Sequence, residues 1–299
     1  TCEEKLPENE RKDIIKNVKA MLMHKIGEVA VNNTDNLLIS GFVGVISAGV
    51  YSNYYLVIGS VRQVLDQALQ GVTASVGNLG ATEDGEKVGH VFADLFFIGQ
   101  WMFGFAGICL LEMLNPFVEL AFGKQYLFTE DIVLILCINF FVTGTRRAVL
   151  IFKESMGLFW YDRYKSLIEA VLNLGISILL VENLGIAGVF LGTLCSTLLT
   201  SFWVEPYVLY KHRFHENPVK FFLKYAWHLM VMAAVWGLTH VCCRWYEGGA
   251  LGNLLLRFAI CMVVPNVLLL LCYCRTAECK DFLRLLKRMG SKVLGRIKG

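Results

Sequence analysis

Charge is scarce in this sequence. Only 18% of its 299 residues are Asp, Glu, Lys or Arg, against roughly a quarter in a soluble domain. Proline is scarce as well, with five in the whole chain, so few helices need be interrupted. No GxSxG, HExxH, P-loop or GxGxxG stretch occurs, which removes the motif-defined hydrolase, zinc-protease and nucleotide-binding classes. The ten cysteines give no paired framework on an exterior loop. Cys109, Cys137, Cys195, Cys261 and Cys272 sit inside apolar blocks, where a thiol behaves as a small hydrophobe. An initiator Met and a signal peptide are also missing, and the chain opens on the polar run ENERKD. We therefore expect it to begin in the middle of a longer protein.

What is present is apolar. Hydrophobic residues make up 56% of the chain and mean hydropathy is +0.53. They come in blocks of about 20 residues, the length that crosses roughly 30 Å of hydrocarbon. This is the signature of an all-α, multi-pass membrane protein. About eight transmembrane helices can be placed: Ile14 to Ser40, Ala48 to Leu79, Val88 to Leu114, Ile132 to Ile151, Ser166 to Val181, Gly185 to Tyr210, Phe221 to Cys243 and Leu251 to Tyr273. The first two are polar and weak on a hydropathy scan. The end of the second, from about Ala68, is expected to project from the membrane.

Basic residues set the expected orientation. Twenty-three of the 28 Lys and Arg fall in the opening segment, the even loops and the tail, whereas the alternate loops hold only Lys124 and Arg244. The positive-inside rule then puts both ends in the cytoplasm. The loop after the fourth helix carries Arg146, Arg147, Lys153, Arg163 and Lys165, and its Trp160, Tyr161 and Tyr164 suit an interfacial belt. The chain divides into a linker (1–13), a six-helix lobe (14–210), two further helices (211–274) and a basic amphipathic tail (275–299). The tail is expected to lie on an anionic leaflet. Nothing in the basic pattern points to nucleic acid.

The first two helices carry the unusual chemistry. On a helical wheel Lys25, Glu28, Asn32, Asp35 and Asn36 share one stripe, and Arg62, Asp66 and Gln70 share a face of the second helix. Ionised groups in hydrocarbon cost several kcal/mol, so they face a polar cavity or each other. Read as a cavity, Lys25 and Arg62 meet an anionic group and the amides bond hydroxyls. Arg suits phosphate because its planar fork holds two oxygens. Glu28, Asp35 and Asp66 balance charge or hold a coupling cation, a proton or sodium. The plainer reading is that Lys25–Glu28 and Arg62–Asp66 are helical ion pairs that only neutralise one another.

Other residues weigh less. His212, His215 and Glu216 have a metal-like spacing in a polar turn, but no metal or other cofactor is expected. Cys272, Cys274 and Cys279 read as interfacial thiols, and Glu112 and Glu119 as an exposed helix end. Asp94 snorkels or joins the cavity.

The stretch KNVKAMLMHKIGEVAVNNTDNLLIS, continued by YSNYYLVIGSV and TASVGNL, resembles the bacterial polysaccharide-export flippases of the multidrug/oligosaccharidyl-lipid/polysaccharide superfamily. KESMGLFWYDRYKSLIEAVLNL is similar to that family's cytoplasmic loop and following helix. The resemblance runs over nearly all of the chain and is generic in the last two helices. It implies a MATE-like fold in which this chain is the second lobe plus two extra C-terminal helices, with the N-terminal lobe missing. It also implies a substrate, an oligosaccharide on a polyprenyl diphosphate, flipped across the cytoplasmic membrane without enzymatic chemistry. The competing readings are a MATE-type drug/cation antiporter, a peptidoglycan-precursor lipid flippase, a membrane-embedded polysaccharide polymerase or ligase, and a non-transporting scaffold. The last leaves the intramembrane charges unexplained. The enzyme needs a larger exterior loop than any here.

Overall fold

The computed structural model describes residues 7–83, 85–244 and 249–297. The side chains of Asn9, Asp13, Asn32, Ala81 and Ala250 and of residues 289–297 lie outside the described set. Among the described residues all regular structure is helical. The twelve α-helices run α1 (Glu8–Leu38), α2 (Val45–Gln70), α3 (Thr73–Thr82), α4 (Gly85–Phe122), α5 (Glu130–Thr145), α6 (Arg147–Ser155), α7 (Lys165–Leu184), α8 (Ile186–Leu199), α9 (Ser201–Leu209), α10 (Val219–Cys243), α11 (Ala250–Tyr273) and α12 (Ala277–Ile297).

Among the described residues six helical stretches are long and apolar enough to cross a membrane: α4, α5 with α6, α7, α8 with α9 and the turn after it, α10 and α11. The first two of the eight expected spans fall short by composition, although α1 and α2 have 31 and 26 residues. α1 begins at Glu8, inside the stretch read as linker, because Pro7 has no N–H to lose at a helix start and Glu8 and Glu10 suit the positive end of the dipole. α2 is shorter than expected. It stops at Gln70, and α3 turns away to pack on α6, where Ser155 Oγ donates to the Thr73 carbonyl at 3.2 Å.

α4 is the axis of the bundle. It has 38 residues, about 57 Å at 1.5 Å per residue, and runs through Pro116 to Phe122, past the expected end at Leu114. Pro116 has no N–H to offer the Glu112 carbonyl four residues back. Arg257 of α11 supplies the donor instead, at 3.0 Å. Pro265 likewise frees the Cys261 carbonyl, which lies 3.9 Å from Cys109 Sγ of α4. Thus proline defects in α4 and α11 are filled across the same seam, as membrane helices require.

The core is aromatic. Phe92, Phe96, Phe103, Phe140, Phe152 and Phe190 are essentially fully buried between α4, α5, α6, α8 and α10. Beneath it α12 docks through Phe282 against Phe97 and Trp101, and Lys224 of α10 pairs with Glu278. Cys279 is therefore fully buried and not an interfacial thiol. α7 and α8 form a tight hairpin because Gly192 lies against Ser177, where an added Cβ would come within 2.8 Å of backbone. α1 crosses α7 at Gly27, where a Cβ would sit 2.5 Å from the Ser166 backbone.

Gly27→Val is accordingly expected to push α1 off α7 and cost about 1–3 kcal/mol, read as a lowered thermal midpoint in detergent. Gly237→Ala, with nothing within 4 Å of its added Cβ, should be neutral or stabilising in the same assay.

Candidate functional site

A cavity of about 460 Å³ opens between α1, α2, α5, α6, α7, α8 and α9. Its floor is a buried ion network. The Glu205 side chain is fully buried and accepts a two-pronged contact from Arg146, Nε at 2.9 Å and Nη2 at 2.7 Å. Lys165 of α7 donates to the same carboxylate. Glu169 accepts from Thr197 at 2.8 Å and Ser201 at 2.5 Å, with Arg146 at 4.0 Å. The α5–α6 joint and helices α7, α8 and α9 are thereby tied at one level. Desolvating so many charges is tolerable only because nearly every lone pair and proton finds a partner.

A second network joins α1 to the loop before α7. Asp162 accepts from Lys153 at 2.5 Å and from His24 Nε2 at 3.1 Å, and His24 Nδ1 lies 3.0 Å from Ser166 Oγ. Burial alone raises the Asp162 carboxyl, but the His24 hydrogen bond and the Lys153 charge outweigh it and hold the group below the usual carboxylate range.

Higher in the cavity Asp66 stands between two guanidinium groups. Arg62 Nε lies 3.7 Å from Oδ2 and Arg147 Nε lies 3.7 Å from Oδ1. Arg62 also donates to Thr143 Oγ1 at 3.0 Å, while the buried Arg147 Nε has no hydrogen-bond partner. On the opposite wall Thr193 donates to Asp35 at 2.8 Å and accepts from Asn173 Nδ2 at 2.8 Å. The buried side-chain oxygens of Asn173 and Asn139 have no hydrogen-bond partner.

The structure divides the residues of the sequence stripes. Glu28, Asp35, Arg62 and Asp66 line the cavity. Lys25, Asn36 and Gln70 are exposed, and Lys25 pairs with Glu28 at 2.9 Å. Asn32's side chain lies outside the described residues. Asp94 is elsewhere, in a cleft beside Asp281 and Phe282 of α12.

Arg147, Lys153 and Lys165, taken from sequence as loop charges, belong to helices, while Arg146 sits at the α5–α6 joint; all four face this cavity. Glu169 and Glu205 carried no weight in the sequence reading. The available signal was a single Glu in each of two apolar spans, LIEAVLNL and FWVEPYVL. Glu112 is also corrected: it is 3% exposed and takes Trp236 Nε1 at 3.0 Å and His240 Nδ1 at 2.9 Å. It fastens α10 and α11 to α4 and is no exposed helix end. His212 stacks on Tyr161 at 3.6 Å between centroids, and among the described residues no His, Cys, Asp or Glu group is arranged for a metal.

No family model and no curated protein sequence matches the chain. Among solved structures its fold is similar to that of the lipid II flippase MurJ in an inward closed conformation, with a TM-score of 0.56 at 15% identity. The superposition covers 85% of this chain and 52% of that one, so the chain spans about half the length of that protein. The likeness bears on the fold alone, an all-helical bundle with six helical stretches long and apolar enough to cross a membrane among the described residues.

Glu205→Gln would leave Arg146 and Lys165 without their full counter-charge, and a loss of about 3–5 kcal/mol is expected from thermal unfolding in detergent. Because Asp162 titrates lower when folded, its contribution is complete above its ordinary value of 3.8 and disappears as pH falls through the folded value. A pH series of thermal midpoints should show Asp162→Asn converging with the parent only below about pH 4.

Proposed function

We propose that this chain is the second lobe, with two accessory helices, of a flippase that moves polyprenyl-diphosphate-linked oligosaccharide repeat units across the cytoplasmic membrane. The observation that carries this reading is the pair of cavity-facing guanidiniums, Arg62 and Arg147, which stand on either side of one carboxylate, Asp66, without closing to hydrogen-bond distance; Glu154 lines the same cavity. A diphosphate supplies the bidentate oxygens that such forks prefer. Asn139, Thr143 and Thr193 offer amide and hydroxyl groups to sugars on the same walls. Lys25 lies on the open side, where a facing lobe would close the cavity. Movement would be alternating access, one lobe rocking against the other about a site within the bilayer. The coupling cation, proton or sodium, falls to Asp35, whose neighbourhood of Thr193 and Asn173 supplies the oxygen donors a hard cation takes.

A second substrate has support of its own. The similar solved structure is a lipid II flippase, and a peptidoglycan-precursor lipid flippase would use the same diphosphate chemistry with different sugars. A drug/cation antiporter would place an organic cation beside Arg62 and Arg147, which repel it, although Glu28, Asp35 and Glu154 also line the cavity.

The test uses the complete transporter in its own cell at equal membrane abundance. Arg62→Ala and Arg147→Ala are expected to reduce surface polysaccharide and to accumulate inner-leaflet lipid-linked repeat units. Accumulation of peptidoglycan precursor instead assigns the second substrate. Normal export in both variants removes the diphosphate role from these residues.

A further inference from the structure

The cavity holds two kinds of carboxylate. Glu205 is sealed in the floor and is bonded by Arg146 at 2.7 and 2.9 Å. Its side chain is fully buried, so no ligand can compete for those contacts without dismantling the helix junction. Asp66 differs in every respect. Its side chain is 26% exposed, and both of its cations stand 3.7 Å away, beyond hydrogen-bond range. Charge-assisted bonds that serve structure close to 2.7–2.9 Å. Those around Asp66 stay open even though it faces two cations at once.

The cations are equally uncommitted. Arg62 gives one Nη to Thr143, and the Arg147 Nε is buried without a hydrogen-bond partner. Arg62 comes from α2 and Arg147 from α6, so an anion with several oxygens could bridge the two helices where Asp66 now only stands between them. A diphosphate brings more charge and more oxygens than one carboxylate, and it finds the two guanidiniums already held at a common point.

We propose that Asp66 is a resident counter-anion: it occupies Arg62 and Arg147 in the empty cavity, competes with the diphosphate for them, and retakes them when the substrate leaves. This rests on the diphosphate reading above and deepens it. Occupancy by Asp66 scales the apparent affinity down to the fraction of time the guanidiniums are free. A carrier needs this, because a site that bound the diphosphate without competition would load but not unload. Asp66 therefore acts on release through the two arginines and makes no contact with the substrate.

The experiment measures binding of inorganic pyrophosphate to the full chain in nanodiscs by calorimetry at fixed salt, with thermal unfolding of each variant alongside. Asp66→Asn keeps the shape and removes the charge, so pyrophosphate should bind about tenfold or more tightly. Arg147→Ala should weaken it by about tenfold or more. In the cell, Asp66→Asn should slow export despite tighter binding. Asp66→Glu supplies a second variant: its longer arm closes the gap to the arginines and should weaken pyrophosphate. Weaker binding in Asp66→Asn, matching Arg147→Ala, overturns the proposal, since Asp66 would then only hold the arginines in place. Absence of pyrophosphate binding in both the parent chain and Asp66→Asn also overturns it. The flippase reading would still be decided separately by the accumulation of lipid-linked intermediates.

Discussion

The structure depends on the counter-charge of Glu205. It sits on α9, receives Arg146 at the α5–α6 joint and Lys165 at the start of α7, and its side chain is fully buried. An unpaired carboxylate at this depth would cost far more than a helix junction can return, and so would either cation alone. The three groups therefore fix one another. Once they meet, α6, α7 and α9 have a common level, and the cavity above them has a floor. Glu169, with Thr197 and Ser201, extends that floor toward α8. Hydrophobic burial brings the helices together without direction; the ion network decides which turn of each faces which.

This explains what was and was not legible in the sequence. The α4, α10 and α11 spans declare themselves by length and apolarity. Of the stripe residues, Glu28, Asp35, Arg62 and Asp66 line the cavity. A helical wheel gives an arc, however, and cannot say which edge of it meets a neighbour. Lys25 and Glu28 lie one turn apart, yet only Glu28 lines the cavity. Arg146, Lys153 and Lys165 were misplaced for a related reason. Positive residues between two apolar runs look the same whether the chain loops out or continues as a helix. Only the matching acids, Glu205 some forty residues beyond Lys165 and Asp162 nine beyond Lys153, distinguish the two, and sequence gives no reason to pair them.

Prolines show the same dependence on partners. Pro116 would read as the end of a helix, and the sequence was divided there. The helix continues because Arg257 occupies the carbonyl that the proline vacates, while Glu112 one turn earlier gathers Trp236 and His240. The accessory helices α10 and α11 are thus bound to α4 at the point where α4 would otherwise be weakest. Their docking is directed by polar contacts: the Glu112 carboxylate and freed carbonyl, Trp101 on Asn266 at 3.0 Å, and Thr145 with Tyr225 at 2.9 Å.

Two solutions to buried charge coexist within one cavity, and their difference has functional content. Around Glu205 the contacts are short, dry and shared among several helices, so moving any member costs the whole junction. Around Asp66 they are long, partly open and confined to α2 and α6, so the carboxylate can yield its cations at small cost. Under the proposed flipping function both have a use: the first arrangement would let the floor move as a rigid piece, and the second would let contacts exchange partners on loading and unloading. Had the arginines at Asp66 been paired as tightly as Arg146 is to Glu205, their donors would be committed to the carboxylate and less open to an anion. Had Glu205 been paired as loosely as Asp66, substrate charge entering the cavity would compete for the bonds that hold the lobe together.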